Sequence, residues 1–212
     1  MNNILLFKGG GIYFFWYLGL INSIDKNYLK NYKFYGFSGG LIAMVFYLCE
    51  INLTSIFKKF SKIEYLNLNY LLNNLDELLN DLLPENSHEL CNNKLNIIYW
   101  KILEGYKIKN NFESKKELIE YTILTCKLPF TFKNIKQIIK NLSMDPLFVI
   151  TKNLKITYDN ILEIGFRKDN NCCIYDSFYI YTDFKEYMKK YYAGYNYGLD
   201  NIIYTENLIK LK

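Results

Sequence analysis

Glycine is concentrated at the start of this chain, where seven of its eleven glycines lie within the first forty residues. Most of them fall into two groups, Gly9–Gly11 and the glycines around Ser38. Because glycine has no Cβ, it adopts left-handed backbone conformations and permits close backbone approach at little steric cost. The sequence therefore predicts two tight turns in this region. The strands and helices between the two turns must be short enough to connect them.

The second group, Gly36–Gly40, fits the G-x-S-x-G pattern of a nucleophile elbow with Ser38 as the candidate nucleophile. In such an elbow the serine occupies a strained turn between a strand and a helix, where glycine neighbours avoid clashes. Residues 33–35 have the pattern of a strand end, and residues 41–49 form an apolar run typical of a buried helix. The alternative is an ordinary tight turn between two core elements.

The first group, Gly9–Gly11, follows the apolar run Asn3–Phe7, which has the length of a buried parallel strand. An aromatic helical stretch, Tyr13–Ile24, comes after it. Backbone amides at such a strand-to-helix turn can converge on an oxyanion or a phosphate. A dinucleotide fingerprint would need glycine at Phe14, and no P-loop pattern is present. The alternative is a glycine turn that lets the helix pack closely on the strand.

The segments FKGGGIYFFWYLGLINSI and FYGFSGGLIA resemble the patatin-like phospholipases. The matching residues are Gly9, Gly10 and Gly11 of the oxyanion loop, Gly19 of the next helix, and Gly36, Ser38 and Gly40 of the elbow. The family usually has a further glycine where this chain has Tyr13 and Phe14. The resemblance implies a three-layer α/β/α fold with a mostly parallel sheet, and a site at the carboxyl ends of the first two strands.

The resemblance continues through most of the chain in weaker form. The segments that carry it are a strand at 94–101, a helix at 114–125, a turn at 126–130, a strand at 161–166 and the pair Gly194-Tyr195 in a last helix. Ser114 and Glu117 have the spacing of a capping box at the start of the second of these segments.

The resemblance also implies a catalytic aspartate, normally in an Asp-Gly pair, but this chain has no Asp-Gly. Asp145, followed by proline, lies where that aspartate would fall, with Asp159 and Asp176 as alternatives. The single histidine, His88, comes before all three, so the usual Ser–Asp–His order cannot be built. We therefore expect a Ser38–Asp145 dyad without metal or cofactor, and His88 in a solvated loop.

Length and composition agree with one domain over residues 1–212, since half of the 212 residues are hydrophobic. A leucine-rich segment at 65–81 predicts an amphipathic helix that packs on the domain or, alternatively, on a partner helix or a membrane. The five cysteines have no metal-ligand spacing, which favours reduced thiols in the cytoplasm. Heavy use of Asn, Ile, Lys and Tyr is typical of AT-rich genomes, including those of large DNA viruses.

The net charge of +5 comes from scattered lysines without a nucleic-acid-binding motif, so we expect no nucleic-acid partner. Basic charge beside aromatic residues also favours attraction to anionic lipid surfaces, and Phe14–Tyr17 either line an acyl-chain channel or pack in the core.

The expected function is hydrolysis of a phospholipid or another lipid ester. Alternatives are a catalytically impaired lipid-binding or scaffolding protein, and an esterase for small substrates. The sequence leaves the oligomeric state open.

Overall fold

The computed structural model describes residues 3–63, 68–101, 104–126, 143–144, 160–164 and 184–209. The strands are β1 Asn3–Phe7, β2 Tyr32–Gly36, β3 Leu95–Lys101, β4 Gly105–Lys109, β5 Ser143–Met144 and β6 Asn160–Ile164. The helices are α1 Phe14–Ser23, α2 Lys26–Leu29, α3 Ser38–Leu48, α4 Leu53–Phe60, α5 Leu68–Leu82, α6 Ser87–Cys91, α7 Lys115–Leu124 and α8 Phe184–Ile209, and a 3-10 turn spans Gly11–Tyr13.

The described strands form one mixed, mostly parallel sheet in the order β4-β3-β2-β1-β6, with β5 paired to β3. β1 lies parallel to both β2 and β6, and β2 lies parallel to β3, whereas β4 and β5 run antiparallel to β3. Strands β2 and β3 therefore follow on one side of β1, and the chain later returns to place β6 on the other side of β1. In open α/β sheets, ligands bind at the carboxyl edge where the strand order reverses in this way.

Strand β1 is buried on both faces, as parallel strands usually are. Leu5 and Phe7 point into the main hydrophobic core, which they share with residues of α1, α3, α4, α5, α7 and α8. Ile4 and Leu6 point to the opposite face and join a second, smaller cluster with Tyr35, Phe37 and Ile98. The mixed α/β class and the mostly parallel sheet are thus confirmed.

Helices α1 and α8 cross with their backbones in direct contact. A Cβ added at Gly19 of α1 would lie 1.9 Å from the Tyr191 carbonyl oxygen, and one added at Gly194 of α8 would lie 2.0 Å from the Trp16 carbonyl oxygen. These contacts leave no room for any side chain. Gly19 and Gly194 are therefore required by packing, and they hold α1 in the position from which the glycine loop enters it.

The aromatic residues of α1 pack in the core. Phe14 and Phe15 are fully buried, and the Phe15 ring stacks on Tyr187 of α8 with centroids 4.8 Å apart. Phe60 of α4 contacts both phenylalanines. Of the two interpretations of this stretch, core packing accounts for these side chains.

The leucine-rich segment forms α5. Of the alternatives given for it, packing on the domain is the one observed. Five leucines on one face of this region are at most 4% exposed: Leu71, Leu75, Leu78, Leu79 and Leu83. The predicted capping box at the start of α7 forms in part, because the Glu117 carboxylate bonds the Glu113 amide instead of the Ser114 amide. The Ser114 hydroxyl accepts from the Glu117 amide at 3.2 Å, while the Glu117 carboxylate accepts from the Glu113 amide at 2.7 Å.

The sequence predictions differ from the structure mainly at element ends. The helix predicted from residue 41 begins at Ser38, and the last predicted strand is described only as Asn160–Ile164. The turn predicted at 126–130 lies outside the described residues beyond Cys126. A single domain over the whole chain stays a prediction.

Candidate active site

Ser38 has a left-handed backbone conformation at the junction between β2 and α3, with φ of 54°. Phe37 before it is extended, and Ser38 is the first residue of the helix. A non-glycine residue at positive φ is strained, and such strain persists only where the surrounding structure enforces it. This is the strand-to-helix turn that the G-x-S-x-G pattern predicts.

Two other non-glycine residues in the described part of the chain have positive φ, and both have ordinary explanations. Glu50 follows the end of α3, where its amide donates to Tyr47 at 3.1 Å and the left-handed conformation terminates the helix. Asn93 lies in a turn, and asparagine tolerates this conformation well. Ser38 is different because it begins a helix, where neither explanation applies.

The glycine loop after β1 packs directly against this elbow. A Cβ added at Gly9 would lie 3.2 Å from Cβ of Ser38 and 2.9 Å from Cε2 of Phe37. A Cβ added at Gly39 would lie 2.3 Å from the Gly11 carbonyl oxygen and 3.0 Å from its amide nitrogen. The structure therefore brings Gly9, Gly11 and Ser38 together at the carboxyl edge of β1 and β2.

Backbone hydrogen bonds fix both ends of the loop. The Lys8 amide donates to the Ile164 carbonyl at 2.9 Å and continues the β1–β6 ladder, and the Tyr13 amide donates to the Gly10 carbonyl at 2.9 Å. The Tyr17 hydroxyl contacts the Gly9 carbonyl at 3.4 Å. Gly11 has φ of 51°, a conformation that favours glycine. The loop is thus held in one shape beside Ser38.

The glycine loop and the first turn of α3 present backbone amides on the same side of the elbow as Gly9 and Gly11, the loop residues nearest to it. Outside the helices and strands, no backbone hydrogen bond between described residues is donated by the amides of Gly9 or Gly10. Gly39 lies in the first turn of α3, where the amides of a helix have no partner within the helix and its dipole favours negative charge. Gly9 lies directly beside the Ser38 side chain, and Gly39 follows Ser38 in the chain and packs on Gly11. Backbone amides placed this close to a serine are the kind of group that can stabilise an anion formed on it.

Positive charge near the loop is partly neutralised. Lys8, which precedes Gly9, forms an ion pair with Glu163 of β6. At the end of the loop that leads into α1, the Lys190 ammonium of α8 lies 4.5 Å from the centre of the Tyr13 ring. The Tyr13 ring thus stabilises a cation at the turn between the glycine loop and α1.

A residue that the sequence analysis did not single out contacts the backbone of Ser38, the candidate nucleophile. Thr125, at the end of α7, accepts a hydrogen bond from the Ser38 amide through its Oγ1 at 3.0 Å. The sequence contains only a weak indication of this contact, namely that the helix predicted over 114–125 ends on a small hydroxyl residue. Nothing in the local sequence pairs that residue with one 87 positions earlier.

The three candidate acids, Asp145, Asp159 and Asp176, lie outside the described residues. Over residues 3–63, 68–101, 104–126, 143–144, 160–164 and 184–209, no carboxylate is hydrogen-bonded to the Ser38 hydroxyl. Ser38 itself is 8% exposed. The geometry therefore brings Ser38 and the glycine loop together, and the roles of Ser38 as nucleophile and of an aspartate as its partner stay predictions.

The prediction that His88 lies in a solvated loop is wrong. It lies in the short helix α6, with its side chain 20% exposed and Nδ1 buried without a partner among the described groups. The neighbouring Ser87 carbonyl contacts Sγ of Cys49 at 3.8 Å, at the far end of α3 from Ser38. A helix of this length spans about 16 Å. His88 is therefore not positioned to act with Ser38.

The described cysteines are reduced and buried: Cys49, Cys91 and Cys126. Sγ of Cys49 and Sγ of Cys91 lie 3.8 Å apart, and the contact with Cys49 together with burial raises the pKa of the Cys91 thiol well above its usual value. A thiol in this state is a poor nucleophile at neutral pH. No group of three metal-binding side chains occurs among the residues with described positions.

Comparison with known proteins found no protein-family model and no curated protein that matches this chain. Within the described ranges, we find no helix with the length and apolar character needed to cross a membrane.

Proposed function

We propose that this chain is a lipid acyl hydrolase of the patatin-like type, with a three-layer α/β/α fold and Ser38 as nucleophile. The observation that carries the proposal is the strained φ of 54° at Ser38, in a turn packed against Gly9 and Gly11 of the glycine loop. Strained backbone at a strand-to-helix turn is how α/β hydrolytic enzymes expose a nucleophilic serine. The lipid substrate follows from the resemblance of the two glycine segments.

In the proposed reaction, Ser38 Oγ attacks an ester carbonyl carbon while an aspartate accepts the hydroxyl proton. Asp145 is the acid we propose, and Asp159 and Asp176 are the alternatives. The carbonyl oxygen becomes an oxyanion, which the amides of Gly9–Gly11 stabilise, typically by about 3 kcal/mol per donor. The alcohol leaves with the proton, and water then hydrolyses the acyl-serine and releases a fatty acid.

Fatty-acid release from mixed phospholipid vesicles tests this function. We expect the native chain to release fatty acid and Ser38→Ala to release none above the rate without protein, because alanine has no nucleophilic oxygen. The two proteins should have the same thermal unfolding midpoint within about 3 °C, so that loss of activity cannot be loss of fold. Equal release by both would show that Ser38 is not the nucleophile.

The second candidate is a lipid-binding protein without hydrolytic activity. It is favoured by the absence of an Asp-Gly pair and by the absence, in the described part of the structure, of a carboxylate on the Ser38 hydroxyl. Sedimentation with the same vesicles separates the two. Binding by both proteins without fatty-acid release by either, across phospholipid, lysophospholipid and neutral lipid, would favour this candidate.

A further inference from the structure

Thr125 makes a hydrogen-bonded connection between α7 and the nucleophile elbow. Its side chain is fully buried, and its Oγ1 donates to the Thr122 carbonyl at 3.0 Å while accepting from the Ser38 amide at 3.0 Å. A hydroxyl has one hydrogen to donate, so the bond to Thr122 leaves the oxygen lone pairs directed at the Ser38 amide. Both bonds are satisfied at once in a site closed to water.

This contact acts on the residue whose backbone is strained. The Ser38 amide is one of the first amides of α3, which have no partner within the helix, and a buried amide needs one. Phe37, before Ser38, is 2% exposed, so water does not readily replace Thr125 as the acceptor. The hydroxyl of Thr125 therefore stabilises the amide orientation that goes with φ of 54° at Ser38.

We propose that Thr125 is a positioning residue for the Ser38 nucleophile, which it holds at the angle from which Oγ faces the glycine loop. The proposal rests on the proposed function. It also assigns the amides: because the Ser38 amide is bonded to Thr125, the oxyanion donors are those of Gly39 and Gly9–Gly11.

Three variants separate this role from general packing. Thr125→Val keeps the size and branching of the side chain but removes the acceptor, whereas Thr125→Ser keeps the hydroxyl. Thr122→Val is the matched control, since Thr122 lies on the same helix and is also fully buried, but its hydroxyl bonds to the Leu118 carbonyl at 2.8 Å. Thr122→Val therefore also removes a buried hydroxyl from this region, but one whose hydrogen bond stays within α7 and does not reach Ser38.

The measurement is the rate at which a long-chain alkyl fluorophosphonate labels Ser38, followed by intact mass. We expect labelling of Thr125→Val to be at least tenfold slower than that of the native chain. Thr125→Ser and Thr122→Val should stay within threefold. In Thr125→Val, the limiting labelling rate at saturating reagent should decrease, whereas the half-saturating concentration should stay unchanged. The reason is that the reagent still binds but Oγ is misdirected.

Two results would overturn the positioning role. One is labelling of Thr125→Val within threefold of native, and the other is an equal loss in Thr125→Val and Thr122→Val. If the native chain is not labelled at all, the proposed hydrolase function fails separately. Amide hydrogen exchange of Ser38 then decides the positioning: we expect strong protection in the native chain, and fast exchange there would refute the hydrogen bond. This last measurement needs no variant to fold.

Discussion

Gly39→Ala is expected to slow fluorophosphonate labelling of Ser38 by about 100-fold. The new Cβ would lie 2.3 Å from the Gly11 carbonyl oxygen and 3.0 Å from the Gly11 amide nitrogen. Because both are backbone atoms, no side-chain rotation relieves the contact, and the glycine loop must move away from α3 by about 1 Å. A misplacement of about 1 Å in a catalytic site costs about 100-fold in rate. Alanine otherwise favours helix over glycine, so the helix itself should tolerate the change.

Gly105→Ala is the control for general destabilisation. Gly105 lies at the β3–β4 hairpin with φ of 78°, and among the described residues other than its two chain neighbours no atom is within 4 Å of its added Cβ. Alanine there is strained by about 1 kcal/mol but touches nothing near Ser38. We expect this variant to be labelled at the native rate. Labelling of Gly39→Ala within threefold of native would contradict the close packing of the loop on the elbow.

Gly19→Ala and Gly194→Ala are each expected to lower the free energy of unfolding by about 3 kcal/mol, the upper end for overpacked cores. In an exposed helix the same change would be stabilising by about 1 kcal/mol. Here the added Cβ would lie 1.9 Å or 2.0 Å from a carbonyl oxygen of the facing helix. Helices α1 and α8 must separate, which disturbs the buried contact between Phe15 and Tyr187. Urea unfolding followed by circular dichroism measures the effect.

Gly198→Ala provides the comparison within α8. Its added Cβ would lie 1.8 Å from Oγ of Ser23, but this oxygen is the end of a side chain that can rotate away from it. Rotation breaks the Ser23 hydrogen bond to the Leu20 carbonyl, now 2.7 Å long. We expect a smaller loss, about 1 kcal/mol, comparable to one hydrogen bond. Equal stability of all three variants and the native chain would show that α1 and α8 are not in backbone contact.

The elbow could be predicted from the sequence because its signals are local. Gly36, Ser38 and Gly40 lie within five consecutive residues between two apolar runs, and the structure places a strained serine there. The glycine loop was predictable for the same reason. The start of α3 was predicted three residues late, because the glycines at positions 39 and 40 have low helix propensity and favour a turn.

Contacts between distant segments could not be predicted. Thr125 meets the Ser38 amide across 87 residues, and its sequence neighbourhood shows only the end of a helix. His88 follows a proline and polar residues, which are typical of a loop, yet packing at the end of α3 buries its Nδ1. In both cases tertiary packing, which no local pattern encodes, determines the environment of the side chain.

The proposed catalytic acid has the weakest sequence signal for the same reason. An Asp-Gly pair would mark it locally, but this chain has Asp145-Pro146 instead. A carboxylate partner is defined by its distance from Ser38 Oγ, which is a property of the tertiary structure and not of the local sequence.

The most direct test of the central claim is to identify the residue that an alkyl fluorophosphonate modifies in the native chain. Activated serines react with this reagent, whereas ordinary buried or surface serines do not. We predict one adduct per chain, located on Ser38 by peptide mass mapping and abolished by heat denaturation before labelling. An unmodified chain, or an adduct on another serine such as Ser87 or Ser143, would contradict the assignment of Ser38 as the nucleophile.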